Sequence, residues 1–480
     1  MNPVRTLVNQ YCGMSVQSKA AAWYTVCNIL QKGISFIVVP IYVRLLTPAE
    51  YGNFTVFQSW REILVIFATL NLYCGVFTKA MVDHPDDRCG YTSSMQTLST
   101  LITVALLVVY LVASGFWNRL LDMSTLTFLL MFAYFIFYPA LQFWSVHQRV
   151  VYRYKSMVAV TLLVSVLIPI LSIVLLKVTD LREEAVIMGN LLVQIAVGLC
   201  FYIYNYIKGK RLVHKEYWVS ALKFNIPLIP HYLSLIALAQ VDRIMIKEMC
   251  GEAKAGIYSF TISISSLMSI FINAINSAIV PWIYDSLKKK SCENLAKVCN
   301  ALVLLLGIMT LGVILVAPEL VMILGTADYM DAIWIIPPVS VGMFLTFCYG
   351  LFSSVEFYYN ATKYVMIASV AAAIAKCGLN LVCIPMFGYL AAGYTTLLCY
   401  FLQAAAHYLV MRKLIKVNLN GTQVYDEKTI ILLCGGMVIA MCAALLLYQS
   451  LLARYALILA MLVLLFSFRK KVLAVVKQLL

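Results

Sequence analysis

The sequence predicts an all-α polytopic membrane protein of about fourteen transmembrane helices, organised as two pseudo-symmetric six-helix lobes with two further helices at the C-terminal end. Three observations predict it. Of 480 residues, 63% are hydrophobic and only 12% charged, a balance far from that of soluble chains. Apolar runs of about 20 residues recur from end to end, each long enough to cross the hydrocarbon core. A stretch near the start also reappears weakly in the second half.

The first six runs begin near Trp23, Asn53, Gln96, Leu126, Met157 and Ala185. The next six begin near Ile226, Ile257, Val298, Ala332, Tyr364 and Tyr389, and the last two near Thr429 and Leu451. Residues 1–18 are polar and lack an apolar core with a cleavage site, so the first run reads as a retained helix. Thr47-Pro48-Ala49-Glu50 is a capping box with proline at the first helical position, which starts the second helix near Pro48. The expected division is a six-helix lobe over 1–207, a basic linker over 208–225, a second six-helix lobe over 226–416, and two additional helices with a basic tail over 417–480. The internal echo pairs P-I-Y-V-R-L-L-T-P-A-E-Y-G-N-F from Pro40 with I-M-I-K-E-M-C-G-E-A-K-A-G-I-Y from Ile244, and it aligns Gly52 with Gly256. Six spans per half preserve orientation, so the halves are expected to be parallel repeats with substrate between them.

A net charge of +15 suggests nucleic acid only until its distribution is read. About 25 of the 36 Lys and Arg fall in alternate connections: Arg149, Arg153 and Lys155; Lys208, Lys210, Arg211 and Lys215; Lys288 to Lys290; Arg412, Lys413 and Lys416; Arg469 to Lys471. The positive-inside rule then places both termini in the cytoplasm, as an even number of spans requires. The 14 cysteines are scattered without CxxC spacing, the histidines form no ligand motif, and no GxxxxGK[ST] loop occurs. No metal, nucleotide or other cofactor is expected, nor is direct ATP drive.

Charged residues inside spans are the functional clue, because hydrocarbon penalises them. Lys32 lies midway along the first span, flanked by Asn28, Gln31 and Ser35 on a polar stripe. Arg61 lies in the second span beside Gln58 and Glu62, and Lys376 lies near the middle of the eleventh with Asn380 one turn on. A membrane protein that buries cations handles an anion, although Arg61 and Lys376 have an equal claim to be halves of ion pairs. In the eighth span, Ser266, Ser269, Asn273, Asn276 and Ser277 share a face suited to sugar hydroxyls or to helix packing. Asp242 and Arg243 read as an outer gate across the lobes or a local anchor, and Glu356 as a gate or a snorkelling group. Glu62 and Asp242 are the candidates for proton or sodium coupling.

Arg44-Leu45-Leu46-Thr47-Pro48-Ala49-Glu50-Tyr51-Gly52 resembles the R-x-L-x-P-x-[DE]-[YF]-G signature of bacterial polysaccharide flippases. Gln240-Val241-Asp242-Arg243-Ile244 with Gly256-Ile257-Tyr258 looks like the seventh-span hairpin of the same family. These flippases are the O-antigen and capsule branch of the multidrug/oligosaccharidyl-lipid/polysaccharide exporter superfamily. The resemblance implies paired six-helix lobes that move an undecaprenyl-pyrophosphate-linked oligosaccharide across the bacterial inner membrane by alternating access. It also implies an association with a polysaccharide polymerase and a chain-length regulator, and membrane lipid as surroundings. In that frame Lys32, Arg61 and Lys376 would hold the pyrophosphate. Three rival readings are a peptidoglycan lipid-precursor flippase, a drug/cation antiporter, and a membrane polymerase or glycosyltransferase. The antiporter needs carboxylates in its cavity, whereas the first span carries Lys32 and no acid; the enzymes need catalytic groups in large outer loops, which are short here.

Overall fold

The computed structural model describes residues 13–289, 293–419, 423–463 and 467. Lys290 and the basic tail from Arg469 to Lys471 lie outside the described residues. Among those described the chain is helical, without strands. The helices are α1 (Val16–Leu45), α2 (Pro48–Thr69), α3 (Val76–Asp83), α4 (Arg88–Val112), α5 (Ser114–Leu121), α6 (Thr125–Val150), α7 (Tyr154–Val178), α8 (Arg182–Gly209) and α9 (Lys215–Asn225). They continue as α10 (Ile229–Cys250), α11 (Glu252–Ser265), α12 (Leu267–Lys289), α13 (Glu293–Leu315), α14 (Ala317–Leu324), α15 (Ile336–Tyr358), α16 (Thr362–Phe387), α17 (Ala391–Asn418) and α18 (Glu427–Leu447), followed by α19 (Leu451–Val463).

Eleven helical segments among the described residues are long and apolar enough to cross a membrane. Helices α2 and α17 have the length but carry more polar side chains, and α19 is shorter. The expected fourteen spans are therefore matched in part.

Packing divides the chain into two compact units. The first comprises Met1–Val38 and Val56–Ile236, so the basic linker belongs to it and includes a helix, α9. Within this unit α8 packs against α6 and α7, and α4 packs against α6 and α8. The hydrophobic stretch of α7 is only 11% buried, which leaves most of its surface to lipid.

The second unit comprises Val39–Thr55 and Ala237–Leu480, and so takes the hairpin at the end of α1 and the start of α2. Its centre is α15, 78% buried, with α12, α13, α17 and α18 packed around it. Helix α18 contributes one face to this core: Ile430, Met437, Met441 and Ala444 are buried in the main hydrophobic cluster. Its apolar residues recur all round the helix, so one face can enter the core while the others meet lipid.

The capping box forms as expected, with the Thr47 amide donating to Glu50 Oε2 at 2.7 Å and the Glu50 amide donating to Thr47 Oγ1 at 3.3 Å. The helix it starts crosses α11 at very short range. A Cβ at Gly52 would lie 2.0 Å from the Glu252 carbonyl oxygen, and one at Gly256 would lie 2.0 Å from the Pro48 carbonyl oxygen. One turn deeper, Thr55 and Ser259 share a hydroxyl hydrogen bond of 2.8 Å. The two copies of the echo thus meet each other, residue against equivalent residue, as small-residue crossings do in membranes. Arg44 donates to the Ile323 carbonyl at 2.6 Å, and Tyr51 packs edge-on against Tyr329. The most specific motif in the sequence is therefore a device of the fold.

Gly52→Val or Gly256→Val should abolish accumulation of folded protein or lower its thermal midpoint by many degrees. Gly33→Ala, with no atom near its added methyl, should leave the midpoint within a degree or two. Fluorescence-detected size exclusion after heating reads the difference, and equal tolerance at all three positions would contradict the crossing.

Candidate functional site

Three of the sequence-predicted residues sit at one polar region of the first unit. A cavity of about 460 Å³ opens there between α1, α6, α7 and α8. Asn28 and Gln31 line it from α1, Gln142, Ser145 and Arg149 from α6, Ser165 from α7 and Gln194 from α8. Gln31 Nε2 donates to Ser165 Oγ at 3.1 Å, which ties α1 to α7. Among the described residues lining this cavity none is acidic.

Arg61 reaches the cavity wall through neutral groups. Its guanidinium donates to Asn190 Oδ1 at 2.5 Å, and the same oxygen accepts from Gln194 Nε2 at 2.9 Å. The guanidinium also lies 5.3 Å from the centre of the Tyr134 ring, in cation–π range. Its Nε is buried without a hydrogen-bond partner. Among the described residues no carboxylate pairs with it. A cation held by an amide and an aromatic face keeps its charge available, which is the arrangement an anion site requires.

Lys32 is half-buried on α1, one turn from Asn28, and is not among the residues lining the cavity. Ser35 donates back to the Gln31 carbonyl at 3.0 Å. Gln58 and Glu62 are half-buried in α2.

In the second unit the predicted residues assemble differently. Lys376, 2% exposed, pairs with Asp242 Oδ2 at 2.7 Å and donates to the Leu238 carbonyl at 2.5 Å. Asn380 donates to Asp242 Oδ1 at 2.7 Å, and the hydroxyls of Tyr258 and Thr396 donate to Oδ2 at 2.5 and 3.2 Å. Thr395 donates to Asn380 in turn. Lys376 and Asn380 therefore do not present a free cation and its neighbour to a cavity, and Asp242 pairs within its own unit. The reason is electrostatic: an ammonium this deep requires a counter-charge with its remaining lone pairs satisfied. Arg243 hydrogen-bonds Gln240 one turn back, and its Nε is buried without a partner. Glu356 is fully buried and 2.9 Å from His407 Nδ1, so it is neither snorkelling nor at the surface. Ser266, Ser269 and Ser277 donate to backbone carbonyls three or four residues back, Asn273 is exposed and Asn276 half-buried.

Sequence reasoning missed Tyr134, Arg149, Asn190 and Gln194. Asn190 and Gln194 stand at i and i+4 in an apolar span, a legible polar stripe, and Arg149 stood among the loop charges.

With this geometry in view, comparison with known proteins is informative. Residues 18–287 match the model of the family described as "Polysaccharide biosynthesis protein". The chain belongs to that family. It is 24% identical over 381 residues to "Lsg locus putative protein 1" of Haemophilus influenzae, covering 74% of this chain and 88% of that one. In fold it is similar to the lipid II flippase MurJ in an inward closed conformation, with TM-score 0.63, 13% identity, and coverage of 92% of this chain and 99% of the other. A multidrug resistance MATE family transporter of the MOP superfamily, inward-facing, gives TM-score 0.61 at 15% identity over 82% and 96%. At these identities the structural likeness speaks for the fold.

Asp242→Asn should leave an uncompensated ammonium and destabilise the second unit by about 3 to 5 kcal/mol. Lys376→Met combined with Asp242→Leu should recover much of that loss, as read by thermal unfolding in detergent. A double variant no more stable than the single one would contradict the pairing.

Proposed function

We propose that this protein is a flippase for an undecaprenyl-pyrophosphate-linked oligosaccharide, an O-antigen or related polysaccharide repeat unit, carried from the cytoplasmic to the periplasmic leaflet of the bacterial inner membrane. The observation that carries the reading is the polar cavity of the first unit, acid-free among its described lining residues, with Arg61 beside it on neutral partners. A pyrophosphate diester is a dianion and cannot cross hydrocarbon without fixed cations or water around it. Arg61 bridges phosphate oxygens bidentately, Arg149 adds charge at the cavity wall, and Lys32 adds an ammonium one turn from Asn28. Asn28, Gln31, Gln142 and Gln194 offer donors and acceptors to water or sugar hydroxyls. Both termini are cytoplasmic in this reading, because the basic connections then face inward.

An acid-free cavity disfavours a cation antiporter, whose substrate needs a counter-charge. A peptidoglycan-precursor flippase shares the diphosphate chemistry and is the second reading, favoured by the fold likeness over 92% of this chain. Outward passage of a charge near −2 through an inside-negative potential releases about 2.3 kcal/mol per charge per 100 mV, so the potential alone biases the flip. Access alternates between the two leaflets without nucleotide hydrolysis.

Arg61→Gln should abolish surface polysaccharide while membrane abundance stays normal, and Lys32→Arg should retain more activity than Lys32→Gln. Immunoblotting of surface polysaccharide beside quantified protein checks both. Unchanged polysaccharide in Arg61→Gln would sink the assignment of the anion site to the first unit.

A further inference from the structure

A second cavity, of about 300 Å³, lies in the first unit between α3 and α9, away from the site above. Lys79 and Asp83 line it from α3, Lys223 and Ser220 from α9, and His84 and Tyr91 complete it. Both lysines are exposed, and among the described residues neither side chain forms an ion pair or hydrogen bond. Two ammoniums, an imidazole, a serine hydroxyl and a tyrosine form a donor set for phosphate oxygens, with Asp83 as the one opposing charge.

The walls of this cavity are built rather than incidental. Helix α9 is fastened to the unit by Asn225, whose amide donates to the Leu70 and Asn71 carbonyls at 3.0 Å each. Trp218 donates to the Ser94 carbonyl at 3.0 Å, and the Tyr217 hydroxyl donates to Asp87 at 2.9 Å. The opposite wall is delivered by a turn with unusual backbone: Leu70, Asn71 and Gly75 have φ of 47°, 49° and 37°. At the non-glycine positions Leu70 and Asn71 such φ values cost free energy and persist where the surroundings fix them. Basic groups nearby are already engaged, Arg211 with Asp87 and Arg88 with the Met81 carbonyl, which leaves Lys79 and Lys223 as the available cations. The linker that contains α9 also holds Lys208, Lys210, Arg211 and Lys215, so this cavity lies on the face rich in basic connections.

We infer that the α3–α9 cavity binds the diphosphate headgroup of the lipid-linked substrate before it enters the membrane cavity. Phosphate is the shared chemistry of three sources: the substrate lipid, bulk anionic phospholipid and free pyrophosphate. The inference rests on the proposed function for the identity of the lipid, while its geometry and its test do not need transport. Docking on the basic face raises the local concentration of the dianion at the protein surface.

The test uses the full-length protein in nanodiscs and a short-chain polyprenyl diphosphate carrying a photoreactive group, with labelled peptides identified by mass spectrometry. Peptides of α3 and α9 should be labelled in the wild type. Labelling should fall roughly tenfold in Lys79→Gln/Lys223→Gln, since two charge-assisted contacts are lost, and be retained in Lys79→Arg/Lys223→Arg. Labelling unchanged in the glutamine variant, with the protein folded, would overturn the site. Competition by phosphatidylglycerol as strong as by unlabelled polyprenyl diphosphate would assign the cavity to bulk lipid and overturn its link to the substrate. Equal competition by inorganic pyrophosphate would overturn the lipid source altogether. Failure of any arm leaves the Arg61→Gln polysaccharide phenotype as a separate reading.

Discussion

The constraint on which this structure turns is the cost of a charge in hydrocarbon. Each ionisable side chain placed within a span must find a counter-charge, a set of dipoles, or water. The two units answer this differently. In the second, Lys376 and Asp242 neutralise each other at 2.7 Å, with Asn380, Tyr258 and Thr396 occupying the remaining carboxylate lone pairs. In the first, Arg61 meets an amide oxygen and an aromatic face. The paired charges of the second unit have a structural task, and the proposed function places anion handling in the first.

The same constraint explains why the repeat echo is preserved at the hairpins. Backbone donors left open at a helix start must be satisfied, and the Thr47–Glu50 box does so for α2. Where α2 meets α11, side-chain bulk would separate the helices, and glycine at 52 and 256 permits a crossing close enough for Thr55 to reach Ser259. Local chemistry and long-range packing therefore come from one short stretch of chain. Arg44 completes it by donating to the end of α14.

Much of this was legible in the sequence for stated reasons. Apolar run length identifies membrane helices, S/T-P-x-E chemistry identifies the start of α2, and the echo marks the glycines that meet. The pairing of Lys376 was not legible, because Asp242 sits on a distant helix and nothing local joins them. Arg61 was found by its charge, but its partners Asn190 and Tyr134 were missed because neutral residues in apolar spans attract little notice. The central helix of the second unit, α15, and the insertion of α18 into that core are tertiary facts that hydropathy does not encode.

In the proposed function the diphosphate is recognised through Arg61 and the polar cavity beside it in the first unit. The most direct test is flipping in reconstituted proteoliposomes, comparing a polyprenyl-diphosphate-linked sugar with the same glycolipid lacking phosphate and with a cationic amphiphile. The diphosphate lipid alone should be transferred, faster under an inside-negative potential. Transfer of the cationic amphiphile, or equal transfer of the phosphate-free glycolipid, would contradict the proposal.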